Sequence, residues 1–485
     1  MLAKFYARLF LIILCLFFIN GCKTFKNYNN SVSNYYKNLK NGNTPSLKND
    51  LKKLEKTKDS DSDFLLAMEE YGKLNFIIGD FDESFKGFSK AVEYYNILED
   101  KAKIELSKLS QNAVSATVLN DRSIRYDGYR YEESMVHLYL SLIYLSRNDI
   151  DSAMVEVRKN TDIQKFIEDD NQNKIAKALE ETEKNKYVEK TSEAKNIFAE
   201  NRDILSQSKE KFLNSYVYYI SGIIREIYKD NNSSYIDYKK AFESSKDNPS
   251  LIKDLLRLSK IYDPSYYREL LRSYSLYNNN NEIDNYYSKK TILIIYEKDF
   301  IPRKQEFKLN LFVVDGNWIS FSLPYLETPK EILNNSVDIK IKMENGDSAL
   351  TKVDLLTDVS EIAKFNFAAD FPLIVARSIS RATVKATVNQ AKRRNNDSHG
   401  NNANIGLAVG SVLMNLAEHA DLRIWTSLPR AVYIKKINFD QDVEEIILGN
   451  VIVKIPKIKE GNILILYLVD YNNYIYSYNL YNGIK

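Results

Sequence analysis

Cysteine is almost absent from this chain: there are two in 485 residues, Cys15 and Cys22. At most one disulfide could form, so a protein of this length must hold itself together by its apolar core. Histidine is nearly as scarce, with three copies. There is no His-Glu-x-x-His pattern, no Gly-x-Ser-x-Gly turn and no Gly-rich loop ending in Lys-Ser or Lys-Thr. Enzymes built on those motifs are excluded, and no catalytic residue, metal or cofactor is expected. A glycoside hydrolase, whose two acids can be far apart in sequence, is the one enzymatic reading left open. Neither sign of charge dominates: 68 Lys and Arg against 65 Asp and Glu leave a formal +3, which gives no sign of a nucleic-acid partner. Glycine (15) and proline (9) are few while Asn, Lys, Ile and Tyr abound, a bias that reads as base composition rather than function.

The apolar run that matters lies at the start. Lys4 and Arg8 precede Leu9–Ile19, and the segment closes on Ile19-Asn20-Gly21-Cys22. Eleven helical residues cover roughly 16 Å against about 30 Å of hydrocarbon, so they cannot span a bilayer. A basic start, a short apolar stretch and a small residue before the cut describe a signal peptide over residues 1–21. Cys22 directly after that cut resembles the lipobox of bacterial lipoproteins. The resemblance implies that Cys22 is acylated and becomes the first residue of a protein anchored in the cell envelope, with the outer membrane as the expected site. Residues 22–59, rich in Asn, Ser, Lys and Tyr, are expected to form a flexible tether.

Beyond it the periodicity is helical and recurs. Met68…Gly72…Asn75…Gly79-Asp80-Phe81…Ser84…Phe88…Ala91 resembles a tetratricopeptide unit. His137…Ser141…Asn148-Asp149-Ile150…Ala153…Val157 and Tyr218…Gly222…Lys229-Asp230…Ser234…Tyr238…Ala241 repeat the pattern. Matched positions fall 69 and 81 residues apart, which is no clean tandem array. Residues 60–285 are therefore expected to be a tetratricopeptide-like helical domain, with 161–211 as a charged helical insertion. Near residue 290 the period shortens to two. β-branched runs flank Asp315-Gly316 and Asn345-Gly346, and strands resume after residue 430. The expected fold class is α+β: a helical-repeat half, then a mainly antiparallel β body over 290–485 with a helical hairpin inserted at 360–420.

Four stretches together resemble a poorly characterised family of bacterial envelope lipoproteins. They are Tyr131-Glu132 leading into His137–Leu145; Tyr235–Ala241 followed by Asp254–Leu258; Ala376-Arg377…Arg381-Ala382…Lys385; and Ala420-Asp421-Leu422-Arg423-Ile424-Trp425…Leu428-Pro429. The resemblance spans most of residues 60–440. It implies an envelope location and a role in surface or cell-wall assembly, and it supplies no catalytic residues.

Two candidate sites follow. Glu69, Lys73, Phe76, Tyr216 and Tyr219 would line the groove side of the repeats, where tyrosines and a few charges suit capture of a protein partner. Arg377, Arg381 and Lys385 share one helix face at spacings of four. With Glu418, Asp421, Arg423 and Trp425 they would form either a structural ion-pair cluster or an anion or glycan site. The expected function is a lipid-anchored adaptor that docks envelope proteins through its repeats, bound to the membrane through its N-terminal lipid. The alternative is a glycan-binding or glycan-active protein of the cell wall, with peptidoglycan as its partner.

Overall fold

The computed structural model describes residues 28–106, 125–184, 192–206, 212–277, 286–313, 317–327, 329, 331–396, 419–472 and 474–484. Among them are α1 (Tyr28–Lys40), α2 (Thr44–Glu55), α3 (Phe64–Ile77), α4 (Phe81–Leu106), α5 (Arg130–Ser146) and α6 (Ile150–Lys184). There follow α7 (Ser192–Ser206), α8 (Ser215–Ile227), α9 (Asn231–Ser244), α10 (Pro249–Tyr262) and α11 (Pro264–Ser273). The second half holds β1 (Lys290–Phe300), β2 (Lys304–Val313), β3 (Asn317–Leu326), β4 (Ser336–Met343), β5 (Ser348–Asp358) and α12 (Val359–Asn396). It ends with β6 (Pro429–Phe439), β7 (Val443–Leu448), β8 (Val451–Lys454), β9 (Asn462–Asp470) and β10 (Ile475–Ile484). The order is mixed α+β, helical first and strand-rich later. No helix among the described residues is long and apolar enough to cross a membrane.

Three helical hairpins, α3–α4, α5–α6 and α8–α9, share one turn design. Each first helix ends in a left-handed residue, Gly79, Asn148 or Lys229 at φ 78°, 57° and 71°. Each is followed by an aspartate, and Asp149 and Asp230 accept the backbone N–H three residues on, at 3.0 and 3.2 Å. Seven residues before the turn and five after it, small side chains let the helices cross closely: Gly72 with Ser84, Ser141 with Ala153, Gly222 with Ser234. Ser84 and Ser234 donate to the Gly72 and Gly222 carbonyls at 2.8 Å. Phe88 and Tyr238 fill the space where a Cβ would stand on those glycines.

The expected tether is corrected over most of its length. Residues 28–55 form α1 and α2, and Tyr28, Val32, Tyr35, Leu39, Leu47, Leu51 and Leu54 are buried in the main core. The apolar spacing in this stretch is helical, and the abundance of Asn and Lys around it masks that signal.

Eight strands form one sheet in the order β10-β9-β1-β6-β5-β4-β7-β8, while β2 and β3 pair separately. All neighbours are antiparallel except β1 and β9. Both faces of the central strands are buried, with period two. Leu293, Ile295, Ile463, Ile465 and Tyr467 join the helices in one core that runs from Tyr28 to Tyr481, across the expected boundary near residue 285. Ile292, Ile294, Leu464 and Leu466 point the other way. They share a second core with Ile446, Leu448 and Val453 from the far end of the sheet, so the sheet curls over itself. Of the expected helical hairpin, α12 forms and packs on α6, α7 and β3; of its second limb, expected over 405–420, residues 405–418 lie outside the described residues and 419–420 are not helical.

Candidate functional site

The groove side of the repeats is not open. Glu69, Lys73, Phe76, Tyr216 and Tyr219 are all fully buried: Lys73, Phe76 and Tyr216 meet the chain's own sheet, while Glu69 meets Tyr95 and Tyr219 meets Asp254 and Tyr238 of neighbouring helices. The expected partner groove is thus corrected: where an open groove was expected, β1 and β9 cover Lys73, Phe76 and Tyr216. At the centre, Lys73 of α3 meets Glu297 of β1 at 2.5 Å, and both side chains are inaccessible to solvent. Tyr139 of α5 and Tyr216 of α8 donate to the other oxygen of Glu297 at 2.9 and 3.1 Å. The Lys73 ammonium also donates to the Tyr467 hydroxyl at 3.0 Å and lies 4.0 Å from the centre of the Tyr139 ring. Burial pulls the Lys73 ammonium down to about 8, against the attraction of Glu297. One acid on the sheet is therefore read by the first helix of every hairpin.

A second group of acids grips the segment after Ala420. Glu306, Glu132 and Glu70 accept the backbone N–H of Ala420, Trp425 and Thr426 at 2.9, 3.0 and 3.1 Å. Trp425 is buried against Phe88 and Tyr139, and its indole N–H donates to Ser427. Beside it, Glu69 accepts from Tyr95 at 2.5 Å, and its other oxygen has no partner. Burial, then the neighbouring Glu132, hold the Glu69 carboxyl well above its usual range, and burial lifts Glu70 to about 7. Next to the third hairpin, Arg257 of α10 joins Glu226 of α8 and Asp254 of its own helix at 2.7 and 3.0 Å, and Asp254 takes Lys436 of β6 at 2.5 Å. These clusters fix helices to sheet, and the last of them borders a cavity of about 320 Å³ lined by Asp254, Arg257, Tyr286 and Lys436.

The expected cluster around Arg377 falls into separate places. Arg377 is exposed, and its Nε reaches back to the Leu373 carbonyl of its own helix. Arg381 is buried beside Ser378. Asp421 turns to Arg423, which also binds Asp63 at 2.8 Å, and Trp425 belongs to the core. The side chain of Lys385, and Glu418 altogether, lie outside the described residues. Of the expected cluster, Asp421 and Arg423 pair with each other and, through Arg423, with Asp63.

A cavity of about 720 Å³ opens where the parallel strands β1 and β9 reach their carboxyl ends. Its walls come from α1 (Val32, Ser33, Tyr36), from the end of β1 and the turn after it (Asp299 to Arg303), and from Tyr325, Glu327, Glu331, Arg430 and Asn472. Two wall residues hold left-handed backbones, Asp299 at φ 52° and Asn472 at φ 66°. The Asp299 carboxylate accepts the Tyr36 hydroxyl at 2.8 Å and the Asn472 amide at 3.2 Å, and burial raises its pKa. Arg430 donates to the Glu331 carbonyl, while its Nε is buried without a partner. The volume suits a small ligand, and strained backbone with a perturbed acid in a cleft marks functional sites. Sequence reasoning singled out none of these residues, which run from 32 to 472. Comparison with protein-family models, with curated proteins and with solved structures finds no match to this chain.

Proposed function

We infer that the chain is a lipid-anchored, non-catalytic scaffold of the bacterial cell envelope, in which tetratricopeptide-like hairpins cradle the chain's own sheet and protein partners dock on the outer faces. The observation that carries this reading is the shortness of the leash. Only residues 23–27 separate Cys22 from Tyr28, whose buried hydroxyl donates to Glu70 at 2.6 Å. Fully extended, that link reaches roughly 20 Å, so an acylated Cys22 holds the folded body against the bilayer. Each buried CH₂ of an acyl chain adds about 0.8 kcal/mol, which makes two or three chains a lasting anchor. The shared turn and small-residue crossings support the tetratricopeptide-like reading of the hairpins. With the inner face filled, partner binding falls to the outside.

Replacing Cys22 with Ser, with fractionation, labelled palmitate and crosslinking in cells, tests it. The variant should lose the label, leave the membrane fraction and lose its crosslinked partners. Membrane retention without label would sink the anchor, and partners unchanged in the soluble form would sink the dependence of docking on position. A second reading, glycan binding by the C-terminal half, is favoured by the cavity, where Tyr36, Phe300 and Tyr325 stand beside carboxylates. No retention of the protein on peptidoglycan would remove it.

A further inference from the structure

The cavity at the ends of β1 and β9 holds opposite charges that do not use each other. In the antiparallel register Lys298 faces Ala431 and Phe300 faces Pro429, so Asp299 stands opposite Arg430 on the neighbouring strand. Adjacent positions of that kind pair readily when charges are opposite. Here they do not. The left-handed backbone at Asp299 turns its carboxylate to Tyr36 and Asn472, and Arg430 is held by the Glu331 carbonyl. The other cation of the wall, Arg303, is engaged by Ser33 at 2.5 Å and by Glu327 at 3.5 Å. Among the described residues neither Asp299 nor Arg430 forms a salt bridge, Lys298 acting on Asp299 only at longer range, and Arg430 keeps a buried N–H that donates to nothing. A buried donor without an acceptor is costly enough that native proteins seldom keep one without a use.

We propose that this cavity binds a small zwitterion of the amino-acid or short-peptide class, its ammonium on Asp299 and its carboxylate on Arg430. The carboxylate pairs with the Arg430 guanidinium, which forms no salt bridge among the described residues, and the ammonium gives Asp299 a directly bound cation. The volume of about 720 Å³ accommodates a few residues. Tyr36 and Phe300, whose ring centres lie 5.5 Å apart, provide an apolar wall for side chains. The site does not depend on the anchor at Cys22, so the two readings fail separately.

The test is calorimetric titration of the full-length, detergent-solubilised protein with trialanine, N-acetyl-trialanine, trialanine amide and the neutral sugar chitobiose. Trialanine should bind saturably, and capping either end should weaken it about tenfold or more, the loss of one charged contact. Asp299→Asn suits the left-handed backbone and keeps an acceptor for Tyr36. It should weaken trialanine to the same degree yet leave the N-acetyl probe within about threefold. Arg430→Gln should be indifferent to amidation in the same way. The capped probes act on the unaltered protein, so misfolding of a variant does not remove the test. No saturable trialanine binding up to about 10 mM, which corresponds to roughly 3 kcal/mol of affinity, would overturn the proposal. So would capped probes that bind as well as free trialanine, or a chitobiose signal where trialanine gives none.

Discussion

The Lys73–Glu297 pair makes a quantitative demand on the whole molecule. Replacing Lys73 with Met removes a fully buried cation and leaves its carboxylate inside the core. Breaking a buried pair from one side costs about 3–5 kcal/mol. Glu297 keeps hydroxyl donors from Tyr139 and Tyr216, so the expected loss sits near the lower end, about 3 kcal/mol. Adding Glu297→Gln supplies a neutral acceptor for the same hydroxyls and should recover about 2 kcal/mol of that loss. The pH dependence gives a second reading of the same pair. Folding moves the Lys73 ammonium from 10.5 down to about 8. Between those values the unfolded chain binds a proton that the folded chain does not, so stability rises with pH across the window. The shift corresponds to about 3 kcal/mol at 1.36 kcal/mol per pKa unit. Urea unfolding followed by far-UV circular dichroism at pH 7.5 and pH 10 gives both numbers, taken as wild type minus variant so that other titrations cancel. A Lys73→Met cost under about 1 kcal/mol, or a double variant no better than the single, would show that the pair is not the keystone described here.

The acids around the 420–428 segment should give the opposite slope. Glu70, raised by burial to about 7 from 4.5, binds a proton in the folded state that the unfolded chain has lost. Its contribution therefore falls by about 3 kcal/mol as pH climbs through that window. Glu69→Gln, which keeps an acceptor for Tyr95 and removes a second raised carboxyl, should be more stable than wild type at pH 8 and gain less at pH 5; thermal melts at both values decide it. Gly222→Ala would drive a methyl into the Tyr238 ring and should cost about 1–3 kcal/mol in a denaturant melt. An unchanged midpoint would mean the helices have room to separate. Trp425→Ala should cost about 3–5 kcal/mol, read by calorimetry, because the indole fills core between Phe88 and Tyr139.

Much of the architecture was legible from periodicity. The three hairpins, the strand-rich second half and the long helix after residue 359 each carry a local signal of their own. The helices at 28–55 were hidden because their apolar residues are diluted by Asn, Ser and Lys, although the spacing of Leu47, Leu51 and Leu54 is helical. The face bearing Glu69, Lys73 and Phe76 was also legible; its occupant was not, because nothing local says that a sheet more than 200 residues later will fill it. One signal did exist. Glu297 lies in phase with Leu293 and Ile295, on the face of β1 that packs against helices, and an acid at that phase of an apolar strand implies a buried partner. The cavity left no such trace, since Tyr36, Asp299, Arg430 and Asn472 belong to α1, β1, β6 and the end of β9 and meet only when β1 pairs with both β6 and β9.

The buried charges have a structural logic that apolar packing alone would not provide. Three first helices, α3, α5 and α8, lie against one sheet through side chains such as Leu74, Leu142, Ile220, Leu293, Ile295 and Ile465. Such surfaces are nearly indifferent to a shift of one helical turn, about 5.4 Å along the axis. Moving α3 by one turn against β1 would carry the Lys73 ammonium away from Glu297 and strand two charges in a dry interior, at a cost of several kcal/mol. The same holds for Glu132 of α5 against the Trp425 amide, while α8 is held through Tyr216 on Glu297 and the following helix, α10, through Asp254 on Lys436. Each hairpin is thus pinned in register at its own point, by contacts whose value lies less in net stability than in the penalty they set on every other alignment. Such pinning suits a body whose hairpins must hold their alignment on the sheet.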